Sequence, residues 1–250
     1  MNIFLKNKED IEIMKAGGKI LAKILKDMEK ELKEGMTTYD LARIAEKLMK
    51  NYDVKPAFKG YRGYPEVICV SINEEVVHGI PSKNKYIKSG DIVSIDIGIE
   101  YEGFFLDAAK TYPIGEVSPL GLRLIQVTEE ALWRGITKAQ VGNRLSDISW
   151  AIQEYVEKNG FNVIRDFVGH GIGRSLHEPP NVLNYGPPGM GPILKEGLVI
   201  AIEPMVVTGS YEVKILENGW TAVTKDGGLA AHFEHTVAIT PSGPLVLTME

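Results

Sequence analysis

Cysteine is nearly absent from this chain. Cys69 is the single thiol in 250 residues. No disulfide framework can form within one copy, which suits a reducing compartment. Long apolar runs are missing too, and no stretch approaches the ~18 apolar residues that span a bilayer. The opening residues, MNIFLKNKEDIEIMKAGG, have no continuous apolar centre and no cleavage site, so they read as neither signal peptide nor anchor. A basic excess is also lacking: 28 Lys and Arg face 33 Asp and Glu, a formal net charge of −5. A sequence-specific nucleic-acid binder would carry a basic face. The runs Lys23–Lys33 and Lys83–Lys88 mix signs or are short, and they read as solvated surface. The expectation is a cytoplasmic enzyme or binding protein, with no membrane partner.

What is present is an ordinary globular composition with clear periodicity. Ile11, Met14, Leu21, Ile24, Leu25, Met28 and Leu32 make a helical stripe over residues 9–33, ended by Gly35. Thr37 is placed to cap a second helix that buries Leu41, Ile44, Ala45 and Leu48. A turn-rich segment, FKGYRGYP (58–65), precedes a strand near 67–72 and a turn at 78–81. Pro113, Gly115 and Pro119 break the chain, and helices are expected again near 120–138 and 144–158, stopped by Gly160.

The order repeats. KSGDIVSID (88–96) resembles KEGLVIAIE (195–203), and Asp96 precedes Glu203 by 107 positions. The same offset relates Gly35 to Gly142, Asp40 to Asp147 and Leu41 to Ile148. Glu234 answers to Asp107 if about 20 residues are inserted between Thr208 and Leu229. The expected fold is α+β, a duplication whose halves, about 1–115 and 116–250, face each other across a pseudo-twofold axis. No linker separates them, so residues 1–250 are expected to form one domain.

The stretch DIVSIDIGIEYEGFFLDAAKT (91–111) sets Asp96 and Asp107 in two apolar runs joined by a polar turn. A hairpin turning near Tyr101–Glu102 would place the two carboxylates side by side. Such a pair repels and loses hydration, and needs a cation. Glu203 in VIAIEPM and Glu234 in AHFEHTVAIT are further acids in apolar strands, and His170 lies in the glycine run VGHGIGRSLHEPP beside His177 and Glu178. Each acid alone reads as a salt-bridged structural carboxylate; four at repeat-related positions favour a metal centre. Four carboxylates and one imidazole without thiolate suit two divalent ions and disfavour structural zinc. Magnesium, calcium, manganese, iron, cobalt and catalytic zinc are all admitted. Hydrolysis is the natural reaction class.

These five residues, in DIG, FFLDAAKT, GHGIG, IEPM and FEHTVAIT, resemble the ligands of the methionine aminopeptidases, and GYRGYP and VVHGIP resemble the bacterial-type, type I branch. The resemblance implies the duplicated pita-bread fold around a curved antiparallel sheet. It implies removal of N-terminal methionine from new proteins by attack of a metal-bridging water on the first peptide bond. Asp96, Asp107, His170, Glu203 and Glu234 would hold two divalent ions, of cobalt, manganese, iron, zinc or nickel, with Asp107 and Glu234 bridging. Glu203 would shuttle the proton, His177 steady the carbonyl, and His78 contact the first peptide nitrogen. Tyr61, Tyr64, Cys69, Leu176 and Trp220 would receive the methionine side chain, with Leu176 departing from the aromatic residue often found there. The implied partner is the N-terminus of a nascent chain, handled by a monomer, with a transient ribosome contact through the Lys83–Lys88 loop. Prolidases and non-catalytic peptide-binding modules share the fold and are the competing readings.

Overall fold

The structure is a computed structural model and describes residues 3–250. Helix α1 (Lys8–Glu31) begins where Asn7 and Asp10 cap each other's backbone N–H groups, and it buries Met14, Leu21, Ile24 and Met28. Helix α2 (Thr38–Asn51) is capped in the same way by Thr37 and Asp40. There follow β1 (Lys55–Pro56), β2 (Cys69–Ile72), β3 (Glu75–Val77), β4 (Ile92–Tyr101) and β5 (Phe104–Pro113). The next unit is α3 (Pro119–Lys138), α4 (Leu145–Lys158), β6 (Asn162–Val163), β7 (Gly169–Gly171), β8 (Glu178–Val182) and β9 (Val199–Ile202). The chain closes with β10 (Met205–Val207), β11 (Val213–Ile215), β12 (Ala222–Thr224), β13 (Ala230–His232), β14 (Glu234–Thr240) and β15 (Gly243–Val246).

The 107-residue offset is written into the backbone. It carries both ends of α2 onto those of α4, and both ends of β1 onto those of β6. It carries the isolated bridge Thr37–Tyr86 onto Arg144–Ile193. It also relates two pairs of left-handed turn glycines, Gly35 with Gly142 and Gly90 with Gly197. The cap on α4 is weaker than its counterpart: Asp147 accepts from the Arg144 N–H at 2.8 Å, but Arg144 has no oxygen to return. The expected insertion is the hairpin β11–β12, which crosses over to pair with β3. Pro119 starts α3 instead of breaking the chain, because the first turn of a helix needs no N–H there.

A nine-stranded antiparallel sheet runs β1-β4-β5-β14-β9-β7-β8, with β2 also on β4 and β15 also on β14. The β4–β5 hairpin turns at Glu102–Gly103, both with positive φ, 48° and 78°. A two-residue turn of this kind matches the twist of the strands it joins. Helices α1 and α2 cover β4 and β5 with one apolar core, and α3 and α4 form a second over β9 and β14. The two repeats meet in the sheet through only two opposed pairs, Glu234–Ala109 and His235–Ala108.

Candidate metal centre and substrate cavity

The turn one residue beyond its expected place shifts the hairpin register. Asp96 faces Ala109 and Asp107 faces Gly98. The two carboxylates are therefore diagonal neighbours on one face, not directly opposed. Gly98 is needed there: a Cβ would lie 2.5 Å from the Phe58 ring, which packs against the strand. The Thr236 hydroxyl stitches the strand of Asp107 to that of Glu234, accepting from the Asp107 N–H at 3.0 Å and donating to its carbonyl at 2.8 Å.

The far repeat supplies the rest. Asp107, His170 and Glu234 each offer a ligand atom within 4.8 Å of the others. His170 Nε2 is 3.5 Å from Glu203 Oε1. The glycines around His170 let backbones close in. A Cβ at Gly169 would lie 2.4 Å from the Ala201 carbonyl oxygen, and one at Gly171 would lie 2.3 Å from that of Pro179. His170 Nδ1 is 2.8 Å from the Gly171 carbonyl oxygen. Donation there leaves Nε2 with its lone pair toward the carboxylates.

Burial dominates the electrostatics of this cluster. It pushes Asp96, Glu203 and Glu234 well above the usual carboxylate range, and the neighbouring carboxylates push further in the same direction. Burial also lifts Asp107 to about 7. It lowers His170 to about 4, so the ring is neutral and able to ligate. Asp96 Oδ1, Asp107 Oδ1 and Glu234 Oε1 are buried without a hydrogen-bond partner. Among the described residues the four acids have only two basic partners, His170 and His232, and both pair with Glu203. Orphaned buried oxygens and a shortage of cations are what a site for divalent cations presents in their absence. The oxygen-rich set fits them.

All twelve residues singled out from the sequence line one cavity of about 140 Å³, together with Phe58 and Arg62. His177 stacks on Tyr61, with centroids 5.2 Å apart, and its ring lies 4.0 Å from that of His170. Burial lowers His177 to about 3. His78 adopts a left-handed φ of 59° and meets Phe167 and Trp220 edge-on, and burial lowers it to about 4. Trp220 comes from the inserted hairpin and meets the Tyr64 ring at 5.1 Å. The Tyr64 hydroxyl sits 3.1 Å from the carbonyl oxygens of Ile68 and Gly79, so this residue both ties a turn and walls the cavity. Burial pushes the Cys69 thiol well up, which makes it a neutral wall and not a nucleophile.

One neighbour of the cluster escaped the sequence reading. His232 is buried, its Nε2 has no hydrogen-bond partner, and that atom lies 3.7 Å from Glu203 Oε2. The sequence signal was the alternation in AHFEH, which sets His232 on the same side as Glu234. Phe58 and Arg62 were passed over as turn residues, although the same segment supplies Tyr61 and Tyr64.

A model of metallopeptidase family M24 matches residues 12–241. The methionine aminopeptidase of Clostridium acetobutylicum is 54% identical over 247 residues, covering 99% of each chain. The chain belongs to the methionine aminopeptidases of family M24. The crystal structure of the methionine aminopeptidase from Thermotoga maritima superposes with a TM-score of 0.98 at 51% identity over 100% of both chains. The Pyrococcus furiosus prolidase superposes at 0.79 and 26% identity, over 98% of this chain and 65% of that one. The M24 fold, a curled antiparallel sheet with helices, is thus common to both lines, and it is the pita-bread fold the sequence implied. The methionine aminopeptidase relatives match this chain end to end, whereas about a third of the prolidase chain lies outside the match.

Proposed function

We propose that this M24 peptidase removes the N-terminal methionine of new proteins and peptides, with Asp96, Asp107, His170, Glu203 and Glu234 holding two divalent ions. The observation that carries this reading is the single cavity in which orphaned carboxylate oxygens adjoin an apolar, aromatic-walled recess. When bound, the ions supply a nucleophilic water at neutral pH and polarise the scissile carbonyl. Glu203, whose Oε atoms lie within 3.7 Å of His170 and His232, would take a proton from such a water and pass it to the departing amine. His177, neutral and stacked on Tyr61, donates its ring N–H to the carbonyl oxygen. His78, which lines the same cavity, contacts the first peptide nitrogen.

Tyr61, Tyr64, Cys69, Leu176 and Trp220 enclose the methionine side chain, whose thioether suits polarisable and aromatic walls. The substrate's free α-amino group sits beside the ions, which restricts cleavage to the terminus. On this reading the enzyme works as a monomer in the cytoplasm. No described helix is long and apolar enough to cross a membrane. In the lysine loop proposed to touch the ribosome, Lys85 pairs with Glu75 and Lys83 lies over the Tyr39 ring.

The test is methionine release from Met-Ala-Ser by the purified protein loaded in turn with cobalt, manganese, iron, zinc or nickel. Release with at least one metal, and little from Met-Leu-Ser, is expected. Cleavage of Xaa-Pro peptides in preference to Met-Ala-Ser would move the chain to the prolidase side. No release with any metal would overturn the reading.

A further inference from the structure

Lys6 is the only buried lysine or arginine among the described residues. Its Nζ lies 2.5 Å from Glu178 Oε2, with 3% and 5% of the two side chains exposed. The same Nζ donates to the Phe4 carbonyl at 3.1 Å. The other carboxylate oxygen, Glu178 Oε1, accepts from the Ser175 N–H at 3.1 Å. Glu178 thus closes a turn over residues 175–178 from inside, and Lys6 closes Glu178. The two residues spanned by that turn are Leu176 and His177, and both face the cavity.

The fit is tight. A Cβ at Gly173 would lie 2.1 Å from Lys6 Cε, so glycine there makes room for the lysine stem. The Lys6 backbone is itself fixed, its N–H donating to the Gly197 carbonyl at 2.7 Å. A second tie runs outside the first: Arg174 donates to Asp10 Oδ1 at 2.9 Å. Lys6, ahead of α1, therefore grips the turn itself, and Asp10, in the first turn of α1, holds the residue just before it. A buried ion pair adds little net stability over a well-packed apolar pair of the same volume. What it supplies is geometry, because a carboxylate with both oxygens engaged admits few orientations.

We propose that Lys6 is a positioning residue for His177, acting through Glu178 to fix where the imidazole stands over the scissile carbonyl. This rests on the role given to His177 above. Lys6 itself touches neither substrate nor any residue proposed to hold metal. Loss of the tie lets the turn shift, and a misplacement of about 1 Å in such a group costs up to ~100-fold in rate. Binding of the methionine side chain, borne mostly by other walls of the cavity, changes less.

The test is a double-mutant cycle on Met-Ala-Ser cleavage. The variant to read is Lys6→Met/Glu178→Gln, which leaves no unpaired buried charge. Its kcat is expected to fall about ten- to a hundredfold, with KM and calorimetric manganese affinity near those of the parent. The same pair of substitutions made on His177→Ala is expected to cost nothing further. An equal fall on both backgrounds, or no fall on the parent, overturns the proposal. Failure of the parent protein to release methionine overturns the functional reading instead, so the two failures are distinguishable.

Discussion

Asp107 and Glu234, 127 residues apart in sequence, stand on adjacent strands, each with one carboxylate oxygen buried and unpartnered. Their strands are locked to each other by the Thr236 hydroxyl, so the carboxylates cannot separate to relieve repulsion. This rigidity makes the metal-free protein sensitive to pH. The four acids have folded pKa values above the unfolded ones of about 3.9–4.3. Their contribution to stability is full below that range and is lost as pH rises through the folded values, about 7 for Asp107 and also displaced upward for the others. The buried histidines act at the acid end. Their folded values are depressed to about 3–4, so their contribution is present above about 6.5 and lost as pH falls. Between pH 6.5 and 8.5 only the acids count. Thermal melts in chelator should fall across that window, and manganese should raise the midpoint more at pH 8.5 than at 6.5. A flat or rising profile in chelator would contradict the assignment.

Glu203→Gln should separate stability from activity. The amide removes a buried group that burial and its neighbours already hold toward neutrality. The metal-free variant should melt above the parent at pH 8. Turnover of Met-Ala-Ser should drop by about 10²–10⁴, the usual loss of a general acid–base. Turnover close to the parent's would remove Glu203 from the proton path.

Gly171→Ala should damage the fold beside His170. Its Cβ would meet the Pro179 carbonyl oxygen at 2.3 Å and that of Glu178 at 2.8 Å, both backbone atoms that cannot rotate aside. A cost of about 1–3 kcal/mol is expected from such overpacking. Denaturant midpoints measured with chelator present would read it, since the clash does not depend on metal.

His177→Ala and Trp220→Ala should fail in different ways. His177 is placed to stabilise charge developing on the carbonyl, so its loss should lower kcat by about 10²–10³. Trp220 walls the side-chain recess and packs edge-on against Tyr64. Its loss should raise KM, with about 1–3 kcal/mol of discrimination against peptides lacking a bulky first residue also gone. Initial rates on Met-Ala-Ser and Ala-Ala-Ser resolve the two.

Local order was readable where one period dominated. The stripe of α1 and the cap at Thr37 need only neighbours in sequence, and they stand where the pattern put them. Asp96, Asp107, Glu203 and Glu234 stood out because acids in apolar strands are rare, and the first and third of them share the 107-residue offset. The hairpin register was not readable. It depends on a non-glycine residue, Glu102, accepting a left-handed φ, and no Asn-Gly or Asp-Gly pair announced the turn. His232 and the Lys6–Glu178 pair were hidden for another reason. Alternation set His232 beside Glu234, but its approach to Glu203, like the Lys6–Glu178 pair, joins segments distant in sequence, which periodicity does not encode.

The join between β5 and β14, only two opposed pairs wide, has a mechanical meaning. Asp96 and Asp107 lie on one side of it, and His170, Glu203 and Glu234 on the other. The Thr236 hydroxyl already ties that join, so a cation held by donors from both sides would add a second cross-tie between the repeats. Loading then becomes visible without any substrate, as slower amide exchange along β5 and β14.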